Sequence, residues 1–423
     1  MFLEIAVILI FWKFSVCSAI PICKNEFPWN LDIPSFYWAK PTPNGTALMW
    51  TKSCTTLNVM SPYFNPAKKT LLMVHGLQPE CVLNEDQFGL NGELDQVLLP
   101  YISMGYNVGV FLWTQFADEE IINFVWSEDQ IYTTSSFVKM RYKVKTSSGA
   151  IISREAPLDM SITDYFIRSW IFHWPLGTSP EVVPEIRVMG HSLGTQLTLN
   201  SAYHIYMRTD ITVKPDRLAL LDAVMSPSNK VFYRRRGGGC GKTISANMGC
   251  MARELTREAN IAIEYYKSSF INRCIFSSRE DKDLIEYTAF SVLRMGQWGD
   301  HPLGSCWDRR LLHNLKRAKS YIHDLAYQMT AQHIYVVPYY LLSLYQPPHQ
   351  CLLSEDGTVC TPIRSLALSA AMSTEDVLIY AKPPLNNTEP KLCFHQFKDK
   401  IGTMTLSPAD DYFYLKDCKD ANT

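Results

Sequence analysis

Short, mostly apolar runs alternate with stretches of helical periodicity through the first half of the chain. Thr70-Leu71-Leu72-Met73-Val74 is an apolar run ending at His75-Gly76, which suits a strand buried on both faces. Tyr106 to Trp113, Glu185 to Met189 and Arg217 to Leu221 predict three more such strands. Between them, Gly92 to Met104, Ser161 to Trp174 and Leu193 to Met207 space their apolar residues as helices do. Strands alternating with helices imply right-handed crossovers and a mainly parallel central sheet with helices on both faces, an α/β fold. Residues 20–68 show weak periodicity and predict irregular structure with edge strands. After Arg234 the pattern loosens. Arg234 to Cys250 reads as a Gly-rich basic loop, Leu311 to Met329 as a helix, and the chain from about 347 as a Cys-bearing tail.

The first residues carry a different hydrophobic signal. Ile5 to Trp12 is apolar throughout but far short of the ~20 residues that span a membrane. Cys17-Ser18-Ala19 follows with small residues at the −3 and −1 positions of a cleavage site. A signal peptide over residues 1–19, cleaved after Ala19, and a secreted product are expected. Glu4, with no Lys or Arg ahead of the run, departs from the usual leader. No later run reaches spanning length, so no transmembrane segment is expected, and the end from Lys416 is too polar for a lipid-anchor signal.

Twelve cysteines, one of them in the leader, match an oxidising compartment, and none has the paired CxxC spacing of a structural zinc site. Cys240/Cys250, Cys351/Cys360 and Cys393/Cys418 are spaced to close short loops. Asn44-Gly45-Thr46 and Asn386-Asn387-Thr388 are glycosylation acceptors. With 40 basic and 41 acidic residues there is no cationic surface excess, which disfavours nucleic-acid binding.

The segment that carries chemistry is Gly190-His191-Ser192-Leu193-Gly194, which follows a predicted strand and opens a predicted helix. A GxSxG sequence in that context presents the serine hydroxyl on a sharp turn beside the amides of a helix N-terminus. The competing reading is a tight turn with a capping serine. Here the chain resembles the lipase and esterase branch of the α/β-hydrolase fold, the part that contains pancreatic-type lipases and phospholipases A1. Gly190 to Gly194 is similar to the lipase elbow. Leu72 to Leu77 is similar to the strand-His-Gly segment whose next residue donates an oxyanion-hole amide. Leu218 to Ala223 is similar to the strand that ends in the family's acid. The likeness covers about residues 70–225, with weaker support to roughly 330. It implies an α/β-hydrolase (lipase-like) domain at 20–345 and a disulfide-bearing C-terminal extension at 346–423.

A serine hydroxyl is a poor nucleophile until an imidazole takes its proton, and the imidazole needs a carboxylate to set its tautomer. Ser192 is the expected nucleophile and Asp222, one helix and one strand further on, the expected acid. The backbone N–H groups of Leu77 and Leu193 are the expected oxyanion donors. The histidine should follow Asp222, where His301, His313, His323, His333, His349 and His395 are available. His313, entering the late predicted helix, is similar to the lipase pattern and is taken as the base. His301, in a Gly/Pro loop, is the alternative. His323 and His333 are placed on helix surfaces, and His75 and His191 are taken as supporting residues.

Gly237 to Thr243 imitates a phosphate-binding loop, but Arg236 stands where its first glycine should be and no strand leads into it. It reads as a mobile surface segment, at the place where lipase-like enzymes can carry a lid. The expected activity is hydrolysis of carboxylic esters, lipid esters foremost, with transient contact to a lipid surface and no metal or organic cofactor. The rival class is a lipase-like fold kept as a non-catalytic binding or storage protein. A third reading keeps the triad but changes the substrate, giving an acyltransferase, thioesterase or peptidase.

Overall fold

The computed structural model describes residues 34–53, 60–78, 94–119, 124–133, 140–146, 148–156, 160–226, 243–269, 282–293, 332–356, 359–384, 389–396, 408 and 411–418. Two compact units divide the chain, one ending at Leu218 and the other running on from Ala219.

The strands of the first unit are β1 (Ser35–Pro41), β2 (Leu48–Lys52), β3 (Thr70–Val74), β4 (Asn107–Leu112) and β7 (Ile186–His191). A separate hairpin is formed by β5 (Arg141–Lys145) and β6 (Ile151–Glu155). In the main sheet the order is β2-β1-β4-β3-β7. The pairs β3/β4 and β3/β7 are parallel, while β1 is antiparallel to both β4 and β2. Every residue of β3, β4 and β7 is buried. Alternate side chains point to opposite faces of a strand, so both faces of this sheet are covered. That is why these runs are mostly apolar, with Thr70, Asn107, Arg187 and His191 as their buried polar members. The strand expected over Thr70–Val74 is found there, and those at Tyr106–Trp113 and Glu185–Met189 differ by one or two residues at their ends.

The helices of this unit are α1 (Asp95–Ser103), α2 (Thr114–Ala117), α3 (Phe124–Tyr132), α4 (Ile162–His173) and α5 (Gly194–Met207). In α4 the Ser161 hydroxyl accepts the Asp164 N–H, and the Asp164 carboxylate accepts the Ser161 N–H, a capping box that fixes where the helix starts. At its other end His173 is buried among Phe36, Trp38, Phe64 and Trp174. Its Nε2 accepts from the Trp38 indole (2.8 Å) and Nδ1–H donates to the Ser169 carbonyl (2.7 Å).

The second unit takes the end of β8 (Arg217–Leu221), then α6 (Ile244–Arg257), β9 (Ala262–Lys267), α7 (Lys282–Glu286) and β10 (Ala289–Val292). They are followed by α8 (residues 332–342), β11 (His349–Leu353), β12 (Cys360–Leu366), α9 (Thr374–Ala381), β13 (Leu392–Gln396) and β14 (Tyr412–Asp417). Its sheet runs β8-β9-β10-β13-β14-β11-β12, with β9/β10, β10/β13 and β11/β14 parallel. The strands after residue 346 therefore extend the sheet from β10, and Cys351–Cys360 and Cys393–Cys418 each staple an antiparallel pair at this end.

One expected loop is corrected. Over Ile244–Cys250 the basic Gly-rich segment is helical, because the Thr243 hydroxyl caps the Ala246 N–H and Ile244, Met248, Met251, Ala252 and Leu255 form one buried stripe. Cys250 is disulfide-bonded to a partner outside the described residues. The glycines of 237–241, the helix expected over Leu311–Met329 and the segment 1–19 also lie outside them.

Candidate active site

β7 ends at His191 and α5 begins at Gly194, so only Ser192 and Leu193 turn the chain from strand to helix. Ser192 takes φ +57°, a left-handed conformation that costs a side-chain-bearing residue of the order of 1–2 kcal/mol. Close packing shows why glycines flank it. A Cβ at Gly190 would lie 2.5 Å from the Gly194 carbonyl oxygen and the Thr198 hydroxyl. One at Gly194 would strike the Val74 carbonyl and sit 2.5 Å from that of His75. One at Gly76 would be 2.6 Å from the Ser192 Cβ. The helix N-terminus is thus pressed onto the end of β3, with Gly76 against the serine.

The turn is braced from below. The Ser192 carbonyl accepts from the Thr195 N–H (3.1 Å) and hydroxyl (2.7 Å). In the first turn of α5, Gln196 donates to the buried Glu128 (2.8 Å) and accepts from the Tyr132 hydroxyl (2.8 Å), both on α3.

His75 braces the neighbouring segment. Its Nε2 accepts the Trp113 N–H (3.0 Å), its Nδ1–H donates to the Gly76 carbonyl (2.9 Å), and the Trp113 indole donates to its carbonyl (2.9 Å). Burial drives its pKa from 6.5 down to about 3, against a raising contribution from the Gly76 bond, so the ring is a neutral strut. Next to it, the Gln78 N–H donates to the Ala117 carbonyl (3.0 Å). Between them lies Leu77. Among the described residues, neither the Leu77 N–H nor the Leu193 N–H donates to a backbone carbonyl.

In the second unit, Asp222 follows β8 at φ +45° and donates its N–H to the Tyr266 carbonyl (2.7 Å). Its Oδ1 accepts the Ser268 and Ser269 N–H groups, each at 3.1 Å. Its Oδ2 accepts the Ser269 hydroxyl and, at 2.6 Å, the Nδ1–H of His333. Burial alone would raise the Asp222 pKa. The bond to His333, the charge of that ring, the Ser269 hydroxyl and the Ser268 N–H together outweigh it and hold the pKa below the usual value. A carboxylate that receives Nδ1–H leaves Nε2 of the same ring as the proton acceptor.

His333 was expected on a helix surface, and the structure corrects this: it is on α8, only 1% exposed, and faces Asp222. The available signal was its setting. Ile334, Val336, Val337, Tyr339, Tyr340 and Leu341 follow it in sequence, and a histidine that opens so apolar a run is buried and therefore needs a partner. His313, His301 and His323 lie outside the described residues; His349 is exposed, and His395 is buried on β13. His191 is buried at the end of β7. Asn44 is exposed in the turn between β1 and β2, and Asn386 lies outside the described residues. No cluster of metal-ligating side chains occurs among the described residues.

No protein-family model and no curated protein sequence matches the chain. Among solved structures, it is similar to a thioesterase domain from the curacin biosynthetic pathway, with 14% identity and a TM-score of 0.20 over 47% of this chain and 50% of that one. It is also similar to a Staphylococcus aureus fluorophosphonate-binding serine hydrolase, with 13% identity and a TM-score of 0.27 over 69% and 99% of the two chains. A metagenome-derived lipolytic enzyme aligns at 11% identity and a TM-score of 0.25, over 61% of this chain and 95% of the other.

Proposed function

We propose that the chain is a serine hydrolase of carboxylic esters in which Ser192 is the nucleophile, His333 the base and Asp222 the acid that steadies it. The observation that carries the reading is the buried Nδ1–H bond from His333 to Asp222, which sets the ring in the tautomer a triad needs. Ser192 on its strained turn supports it, as does chain order: the acid follows the strand after the elbow helix. At the start of β7 and just before β8, the Asp216 N–H donates to the Ile186 carbonyl (2.9 Å) and the Ile186 N–H to the Asp216 carboxylate (2.7 Å).

In this reading His333 Nε2 takes the proton of the Ser192 hydroxyl as its Oγ attacks the ester carbonyl carbon. The oxygen of the tetrahedral intermediate takes the negative charge and accepts the N–H groups of Leu77 and Leu193, each worth ~3 kcal/mol. Collapse expels the alcohol, which leaves with the proton from His333. Water, deprotonated by the same ring, then attacks the acyl-enzyme and frees the acid and Ser192. Lipid esters are the substrate class we favour on the resemblance of the elbow, and an oxidising, extracytoplasmic compartment on the disulfides.

A fluorophosphonate probe should label Ser192, and Ser192→Ala should remove both labelling and turnover of a soluble nitrophenyl ester. His333→Ala should cut turnover by about 10³-fold or more. Turnover untouched by His333→Ala but lost in His313→Ala or His301→Ala would reassign the base. A wild-type chain that is not labelled is a non-catalytic binding protein. Parallel assays on triglyceride, thioester and amide substrates test the preference for lipid esters.

A further inference from the structure

We propose that Glu264 is a positioning residue for the His333 imidazole, acting through Tyr340, and this rests on the reading of His333 as the base. Glu264 is a carboxylate with 0% exposure in the middle of β9. A buried carboxylate is expensive unless hydrogen bonds compensate it. Here the Tyr340 hydroxyl donates to Oε1 at 2.6 Å and the Tyr266 hydroxyl to Oε2 at 2.9 Å.

The two phenols differ in what they hold. Tyr266 is on β9 itself, two residues from Glu264. Tyr340 is on α8, seven residues after His333. Seven residues are close to two helical turns, so both side chains leave the same face, about 10 Å apart along the axis. The helix carrying the base is therefore fastened at two heights, by His333 to Asp222 and by Tyr340 to Glu264. A helix held at one point can still roll and slide, and catalytic groups tolerate only about 0.5 Å of such error. A charge-assisted bond at the second point is roughly twice as strong as a neutral one and is directional, which a hydrophobic contact is not.

Tyr340→Phe and Tyr266→Phe each delete one hydroxyl from the same carboxylate in the same buried surroundings. If Glu264 positions the base, Tyr340→Phe lowers kcat on a soluble nitrophenyl ester about tenfold or more with KM within about twofold. Tyr266→Phe, whose hydroxyl holds Glu264 but not α8, loses at least about threefold less kcat than Tyr340→Phe, and Tyr340→Phe adds no loss in a His333→Ala background. The downfield proton resonance of the His333 Nδ1–H reports the same placement without turnover: it should shift or broaden in Tyr340→Phe and stay in Tyr266→Phe. Equal kcat losses in the two variants, or an unchanged resonance in Tyr340→Phe, overturn the proposal. Failure of the probe to label Ser192 in the wild type overturns the serine-hydrolase reading instead, and the resonance comparison still decides whether Glu264 positions His333.

Discussion

Single atoms decide much at Ser192 and Asp222. The positions that flank the serine admit no Cβ, because backbone carbonyls of β3 and α5 already occupy the space. Gly194→Ala would drive a methyl group into the Val74 and His75 carbonyls, and backbone cannot rotate aside as a side chain can. We expect a loss of about 3 kcal/mol or more in stability, read from the urea midpoint, together with loss of Ser192 labelling. At Asp222 the chemistry turns on charge rather than volume. Its two oxygens accept from Ser268, Ser269 and His333, so Asp222→Asn brings an amide NH₂ against donors. The ring would then turn or change tautomer, and kcat should fall by about 10⁴-fold with the fold intact by circular dichroism. Wild-type kcat in that variant would remove Asp222 from the triad. The turn at Ser192 and the place of Asp222 after β8 were legible in the sequence because each closes a largely apolar run. For His333 the apolar residues that follow it mark burial, but nothing local names the carboxylate 111 residues away that it meets.

Elements were legible where one physical signal governs them. Strands buried on both faces are predominantly apolar, and β3, β4, β7 and β8 each carry an apolar stretch with at most two charged or polar positions, so they stood out. Beyond β8 the signals mix. β9 reads Ala-Ile-Glu-Tyr-Tyr-Lys, and its charged residues hide a strand whose every position is buried. The helix α6 was hidden by the glycines ahead of it, although the Thr243 cap and its apolar stripe mark it. At the far end, where β13 and β14 are antiparallel, Cys393 and Cys418 close a loop of 25 residues. Cross-linking a loop of that size restricts the unfolded chain by about 3 kcal/mol. Replacing both cysteines by serine should lower stability by about that much in denaturant titration, while His333, on a helix that Tyr340 ties to Glu264 of β9, keeps its Asp222 bond. An unchanged midpoint would mean that this pair adds nothing beyond the strand pairing.

For the molecule as a whole, acid should be the weak side. His75 and His173 are neutral and buried, with pKa values lowered by burial from 6.5 to about 3 and about 4. As pH falls below 6.5 the unfolded chain takes up these protons first, so the unfolded state gains and stability drops. The loss continues until about pH 4 for His173 and pH 3 for His75, then levels off. Between pH 7 and 5 the two together should remove roughly 4 kcal/mol, seen as a lower urea midpoint, and His173→Asn should reduce that loss by about half. A midpoint flat across this range would mean the rings are protonated in the native state. The amino-acid sequence alone determined the class of fold and the place of the serine-bearing turn, because hydrophobic period and a glycine-flanked turn are local properties that short segments carry by themselves. Which histidine faces Asp222, and which strands follow β10, were decided only by tertiary structure. Burial and partnership belong to residues far apart in the chain, and no stretch of sequence holds both halves of such a pair.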